Sequence, residues 1–133
     1  MNLKALILDD EYHARNNLSM LIEGYCTDIE VVEMASSAEE ARKYLKNHSV
    51  DVVFLDIKMP NEDGFEFLNS LPNRDFGVIF TTAYNEFALD AFKANAIDYL
   101  EKPIDIDDLI EAVGKIKKMK AGNQPIQLNE GIL

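Results

Sequence analysis

Asp56 closes a short apolar run, Val52, Val53, Phe54 and Leu55, inside the segment VDVVFLDIKMP. A run this short, rich in β-branched and aromatic residues, suits a strand buried on both faces of a parallel sheet. A carboxylate at the carboxyl end of such a strand lies where open α/β sheets place their ligands. Taken alone, it serves equally well as the cap of a turn leading to Met59-Pro60 and Asp63-Gly64. Other apolar runs end in the same manner: Leu3 to Leu8 stops at Asp9 and Asp10, Val78 leads to Thr82, and Ile97 to Leu100 precedes Lys102-Pro103. Three carboxylates, one hydroxyl and one ammonium thus converge from distant parts of the chain. Two like charges about 4 Å apart repel by roughly 4 kcal/mol at an effective dielectric of about 20, so the carboxylates need a cation or a raised pKa. Lys102 supplies one positive charge and a hard divalent ion supplies the rest. Mg²⁺ fits, because it takes one or two carboxylates, keeps several waters and completes its shell with phosphate oxygens. The set suits phosphoryl transfer to a carboxylate, with Asp56 attacking, the metal and Lys102 neutralising the transferred group's oxygens, and Thr82 donating a hydrogen bond.

The elements that must position these groups alternate strand with helix. After the first strand, Ala14, Leu18, Leu21, Ile22 and Tyr25 recur at helical spacing, which predicts an amphipathic helix from about Tyr12 to Tyr25. Ile29 to Met34 is the second strand. Ser37 with Glu40 has the form of a capping box, and Ala38, Ala41 and Leu45 give the next helix an inward face. Phe65, Leu68 and Leu71 mark a short third helix, which Pro72 helps to end. Phe87, Ala88, Ala91 and Phe92 mark a fourth, and Asp105 caps a fifth, whose Leu109, Ile110, Val113 and Ile116 turn inward. Five strand-then-helix units with short connections imply a doubly wound α/β domain with a five-stranded parallel sheet covered on both faces. From about Lys117 the helical period stops, in KKMKAGNQPIQLNEGIL, and the segment reads as a linker.

Composition narrows the class. The chain has 133 residues, 47% of them hydrophobic, enough for one domain with a substantial core. A formal net charge of −11 argues against nucleic acid and anionic lipid as direct partners of this segment. Cys26 is the one cysteine, so an internal disulfide is excluded and a reducing, cytoplasmic setting is expected. The N-terminal apolar stretch is too short for a secretory signal, and no run approaches a membrane span.

From about Lys4 to Lys118 the sequence resembles the receiver domains of bacterial two-component response regulators. The blocks LILDDE, VFLDIKMPNEDG, FTTAY and DYLEKP carry the resemblance. It implies a flavodoxin-like (βα)5 fold with strand order 2-1-3-4-5. It also implies that Asp56 is the phosphoacceptor, that Asp9 and Asp10 hold Mg²⁺ with Asp56 and the main-chain carbonyl of Lys58, and that Lys102 is the invariant lysine. Thr82 is the switch hydroxyl by resemblance rather than Thr81, because a small residue, Ala83, follows it. By the same resemblance Tyr99 looks like the aromatic that changes rotamer with phosphorylation, and the Lys102-Pro103 bond is expected to be cis. Lys58 and Tyr84, two residues beyond Asp56 and Thr82, stand at places that influence phosphoryl loss. The stretch AYNEFALDAFKANAIDYLEKP is similar to receivers attached to LytTR-type DNA-binding domains. The implied partners are a cognate histidine kinase and a C-terminal output domain, with a homodimer through the fourth helix, fifth strand and fifth helix. On phosphorylation a new surface around Phe92, Ala96 and Tyr99 is expected to be exposed and to carry such contacts. The receiver is expected over residues 1–119, with 120–133 a linker or the start of the output domain, and the chain is expected to act as a switch and not as an enzyme that turns over a metabolite.

Two rivals share part of this pattern. A haloacid dehalogenase-type phosphatase needs an acid/base Asp two residues after its nucleophile, where Lys58 stands. A flavodoxin-like cofactor carrier needs phosphate donors after the first strand, where Asp9-Asp10-Glu11 would repel the ligand. His13 and His48 have no ligand-like spacing and read as surface or cap residues. Phe65, Phe67, Phe87 and Phe92 read as core and sheet cover, and without the resemblance Tyr99 reads as a half-buried strand residue.

Overall fold

The computed structural model describes residues 2–122. Five strands, β1 (Leu3–Leu8), β2 (Ile29–Ala35), β3 (Val52–Asp56), β4 (Gly77–Thr82) and β5 (Asp98–Glu101), alternate with five helices. The helices are α1 (Tyr12–Tyr25), α2 (Ala38–Asn47), α3 (Gly64–Asn69), α4 (Ala88–Lys93) and α5 (Ile106–Gly122), and a 3-10 turn, Asn85–Phe87, leads into α4. All pairings are parallel and the sheet order is β2-β1-β3-β4-β5. This is the flavodoxin-like order expected of the sequence.

Side-chain alternation along the strands divides the core in two. Ala5, Ile7, Val52, Phe54 and Ile79 face α1 and α5, meeting Leu18, Ile22, Leu109, Val113 and Ile116. Leu6, Leu8, Val53, Leu55, Val78 and Phe80 face the other way, onto Ala38 and Ala41 of α2, Phe67 and Leu68 of α3 and Ala91 of α4. Every residue of β3 and β4 is buried, which is why both strands read as unbroken apolar runs until their polar ends.

Local signals set the helix ends. The Ser37 hydroxyl accepts from the Glu40 N–H at 3.2 Å, but the Glu40 carboxylate turns to the N–H and hydroxyl of Ser36, so only half of the expected box forms. A complete box stands instead at α3, where Asp63 and Glu66 cap each other's backbone N–H groups. Asp105 caps α5 through the N–H of Asp108 at 3.0 Å, as expected.

Three expectations are corrected. Helix α5 does not lose its period at Lys117 but continues to Gly122. Its lysines lie outside and pair with Asp28 (Lys117) and Asp51 (Lys120, 3.0 Å), while Met119 packs against the core. Residues 123–133 of the expected linker lie outside the described residues. Ile110, read as inward, is 46% exposed. Phe92 is 39% exposed rather than core. Ala96, where a new surface is expected to form only on phosphorylation, is fully buried here because the chain folds back under α4, its N–H bonding to Ala91 O at 3.1 Å.

Candidate functional site

Among the described residues, the buried polar or charged ones are Asp9, Asp56, Thr81 and Thr82. All four stand at or just beyond the carboxyl ends of β1, β3 and β4, so the sheet gathers at one edge the groups that its core excludes. Asp9, Asp10 and Asp56 can each present one carboxylate oxygen so that all three lie within 4.8 Å of one another. Asp9 and Asp56 are buried and Asp10 is exposed.

Each acid is held differently. Asp9 Oδ1 accepts from the Glu11 N–H at 2.9 Å, and Lys102 Nζ donates to Oδ2 at 2.7 Å. Arg15, on the first turn of α1, donates through Nη1 to the main-chain carbonyl of Asp9 at 2.7 Å. Arg15 was not singled out in the sequence, because its partner is a carbonyl and no charge pattern announces it. The Lys102 ammonium lies 3.6 Å from Asp56 Oδ1. Asp56 makes fewer stabilising contacts than Asp9. Burial first, and then the neighbouring Asp9, push its carboxyl up to about 7, against the partial compensation of Lys102. Burial alone would lower the Lys102 ammonium, but its bonds to Asp9 and Asp56 outweigh that and raise it.

The donor set fits a hard divalent cation. Three carboxylates face a single ammonium, and the chemistry of that set is oxygen-only with one exposed, water-accessible member. The acidic cluster could therefore hold a metal. Lys58, two residues beyond Asp56, is exposed, with its ammonium 5.9 Å from the ring centroids of both Tyr84 and Phe87.

Thr82 and Tyr99 meet through one residue. Phe80 is the register partner of Tyr99, so Thr82, two residues on, projects from the same face of the sheet. The Tyr84 N–H donates to Thr82 Oγ1 at 3.1 Å, and the half-buried Tyr99 donates its hydroxyl to the Tyr84 carbonyl. Thr81 is the register partner of Asp56 and, with Asp9 and Lys102, lines a cavity of about 100 Å³ on the opposite face. The Lys102-Pro103 peptide is cis, as expected. His48 ends α2 stacked on Tyr44, and His13 is exposed against Tyr12, so both fill the bland roles read from their spacing. No helix among the described residues is long and apolar enough to cross a membrane.

Comparison with known proteins bears on this geometry. Residues 5–114 match the family model described as the response regulator receiver domain. The chain is 38% identical over 120 residues to the sensory transduction protein LytT of Bacillus anthracis, covering 89% of this chain and 48% of that protein. It is likewise 38% identical over 120 residues to the transcriptional regulatory protein BtsR of Salmonella typhi, covering 90% and 50%. The chain thus spans about half the length of the curated relatives it matches. Among solved structures, the REC domain of AraT, a response regulator from Geobacillus stearothermophilus, superposes with a TM-score of 0.77 at 34% identity, covering 93% of this chain and all of that one (100%). The response regulatory domain of mrkE from Klebsiella pneumoniae does so with a TM-score of 0.81 at 30% identity, covering 90% and 99%.

Proposed function

Because the chain belongs to the response regulator receiver-domain family, we propose that it is a cytoplasmic, phosphorylation-controlled switch in which Asp56 accepts a phosphoryl group from a cognate histidine kinase. The observation that carries this reading is the gathering of Asp9, Asp10 and Asp56, one carboxylate oxygen from each within 4.8 Å of the others, with the Lys102 ammonium against Asp9 and Asp56. In the transfer, an oxygen of the Asp56 carboxylate forms a bond to phosphorus as the bond from phosphorus to the donor's imidazole nitrogen breaks. The electron pair of that bond returns to the imidazole. Lys102, close to Asp56, lies where it can hydrogen-bond an oxygen of the transferred group. Asp9 orients Lys102, and Arg15 and the Glu11 N–H orient Asp9. Asp9, Asp10, Asp56 and the main-chain carbonyl of Lys58 would hold Mg²⁺, which would offset the crowded negative charge and favour the ionised form of Asp56. Hydrolysis of the acyl phosphate later regenerates Asp56, so the domain takes part in its own chemistry without turning over a metabolite.

Thr82 is the hydroxyl that reads the new phosphoryl oxygens. Its present bond from the Tyr84 N–H must lengthen or break if Thr82 is drawn toward Asp56. The Tyr84 carbonyl that holds Tyr99 then moves with it. Tyr99 repacks against α4, and the face of α4, β5 and α5 changes for its next partner, a second copy or the output domain. The resemblance to LytT and BtsR favours a transcriptional output of the LytTR type. Incubation with acetyl phosphate and Mg²⁺ tests the reading. The intact mass should rise by one phosphoryl group, labile to hydroxylamine, in the wild type and not in Asp56→Asn; equal labelling of the two would exclude Asp56.

A further inference from the structure

The loop between β3 and α3 is anchored at two places. At its base, the Gly64 N–H donates to the Ile57 carbonyl at 2.9 Å, and a Cβ at Gly64 would come within 2.6 Å of the Asp56 main-chain oxygen. At its outer end, Glu62 is gripped by Arg42 of α2, with Nη1 to Oε2 at 2.6 Å and Nη2 to Oε1 at 2.8 Å. The same Nη1 donates to Ser70 Oγ at 2.9 Å, just past α3, and the guanidinium carbon lies 5.9 Å from the centroid of the Phe67 ring. Arg42 is therefore fixed by two neighbours, Ser70 and Phe67, and in turn fixes Glu62. A bidentate fork constrains angle as well as distance. Both side chains keep about a third of their exposure, 31% and 28%, so the pair is poorly placed to add much stability. Its consequence is geometric. Between the two anchors run Lys58, Met59, Pro60 and Asn61, the last in the left-handed region at φ 72°.

We propose that Arg42 is a positioning residue for the metal site: by holding Glu62 it sets the loop so that the Lys58 carbonyl is aimed toward Asp56 before the ion arrives. The inference rests on the receiver reading of the site. Without the fork, the ion must order the loop as it binds, and the lost preorganisation weakens its affinity. Groups that orient metal ligands from outside typically change affinity by about 10- to 100-fold, and the partial exposure of this pair places the expected loss nearer three- to tenfold.

Mg²⁺ is titrated into the full chain without phosphodonor, following the amide NMR signals of Ile57, Lys58 and Met59. The variants are Arg42→Ala, Glu62→Gln, and the exchange R42E/E62R, each also unfolded in urea. Both single variants should weaken Mg²⁺ binding about three- to tenfold while unfolding cooperatively, and the exchange should recover most of the loss. Glu62→Gln leaves Arg42 on Phe67 and Ser70, so wild-type affinity in that variant would overturn the proposal even if Arg42→Ala bound weakly. If the wild type shows no Mg²⁺ response and takes no phosphoryl group from acetyl phosphate, the receiver reading itself falls. A wild type that does both, with variants that match it, removes the role of Arg42 alone.

Discussion

Replacing Asp56 by Asn should stabilise the metal-free protein at neutral and higher pH, and the gain should vanish in acid. Asp56 is 5% exposed and its carboxyl is raised from 3.8 to about 7. For an acid whose folded pKa exceeds its unfolded one, the folded chain holds the proton more tightly. Stability from this group is full below about pH 4, falls as pH rises through the window from about 4 to about 7, and is gone above it. A shift of roughly three units at 1.36 kcal/mol each gives about 4 kcal/mol as a ceiling. Because Asp56 interacts closely with its charged neighbours, about 2–4 kcal/mol is the working range. Asn keeps the shape of Asp56 and removes its charge, and Lys102 retains Asp9 at 2.7 Å as partner. Urea unfolding of both proteins with chelator present, at about pH 4 and about pH 8, measures the effect. The expected result is a variant more stable by about 2 kcal/mol or more at the higher pH and near parity at the lower one. A variant no more stable than wild type at the higher pH, or equally favoured at both, would show that Asp56 is not held under electrostatic strain. Added Mg²⁺ should narrow the gap at the higher pH by stabilising the wild type.

Other outcomes follow from the same geometry. Asp10→Ala should abolish Mg²⁺ binding and phosphorylation together while changing stability by less than about 1 kcal/mol, since Asp10 is exposed; NMR titration and urea unfolding check the two parts. Gly64→Ala should cost about 1–3 kcal/mol and weaken Mg²⁺ binding, because its Cβ meets the Asp56 carbonyl at 2.6 Å and backbone must move; calorimetry and metal titration read both. Beryllofluoride, which mimics the phosphoryl group, should alter the Tyr99 signals and the sedimentation of the wild type. In Thr82→Ala both responses should be lost although the mimic binds. A full response there, with loss in Thr81→Ala instead, would move the switch to the other face of the sheet.

Most of the fold was legible because both faces of the sheet are covered. Burial on two sides makes Val52 to Leu55 and Val78 to Phe80 uninterrupted apolar runs, and their polar ends mark the site edge directly. Asp9, Asp56, Thr82 and Lys102 were readable as strand-end residues for that reason. What escaped depends on partners far away in sequence. Lys117 and Lys120 look like the start of a linker until Asp28 and Asp51 are seen beside them. Arg42 gives no local sign of Glu62, 20 residues on, and Arg15 none of the Asp9 carbonyl. Ser37 and Glu40 had the right spacing for a capping box, yet Ser36 offers Glu40 two donors and wins it. Ala96 is too small for its exposure to be inferred from type. Its burial follows from the left-handed Asn95, at φ 62°, which turns the chain under α4.

Locating the acyl phosphate tests the central claim most directly. After reaction with acetyl phosphate and Mg²⁺, borohydride reduces an aspartyl phosphate to homoserine, and tandem mass spectrometry of the digested chain finds the reduced residue. The receiver account predicts homoserine at position 56 alone. Reduction at Asp9 or Asp10, or a phosphoryl group retained on His13, His48 or a serine, would contradict it.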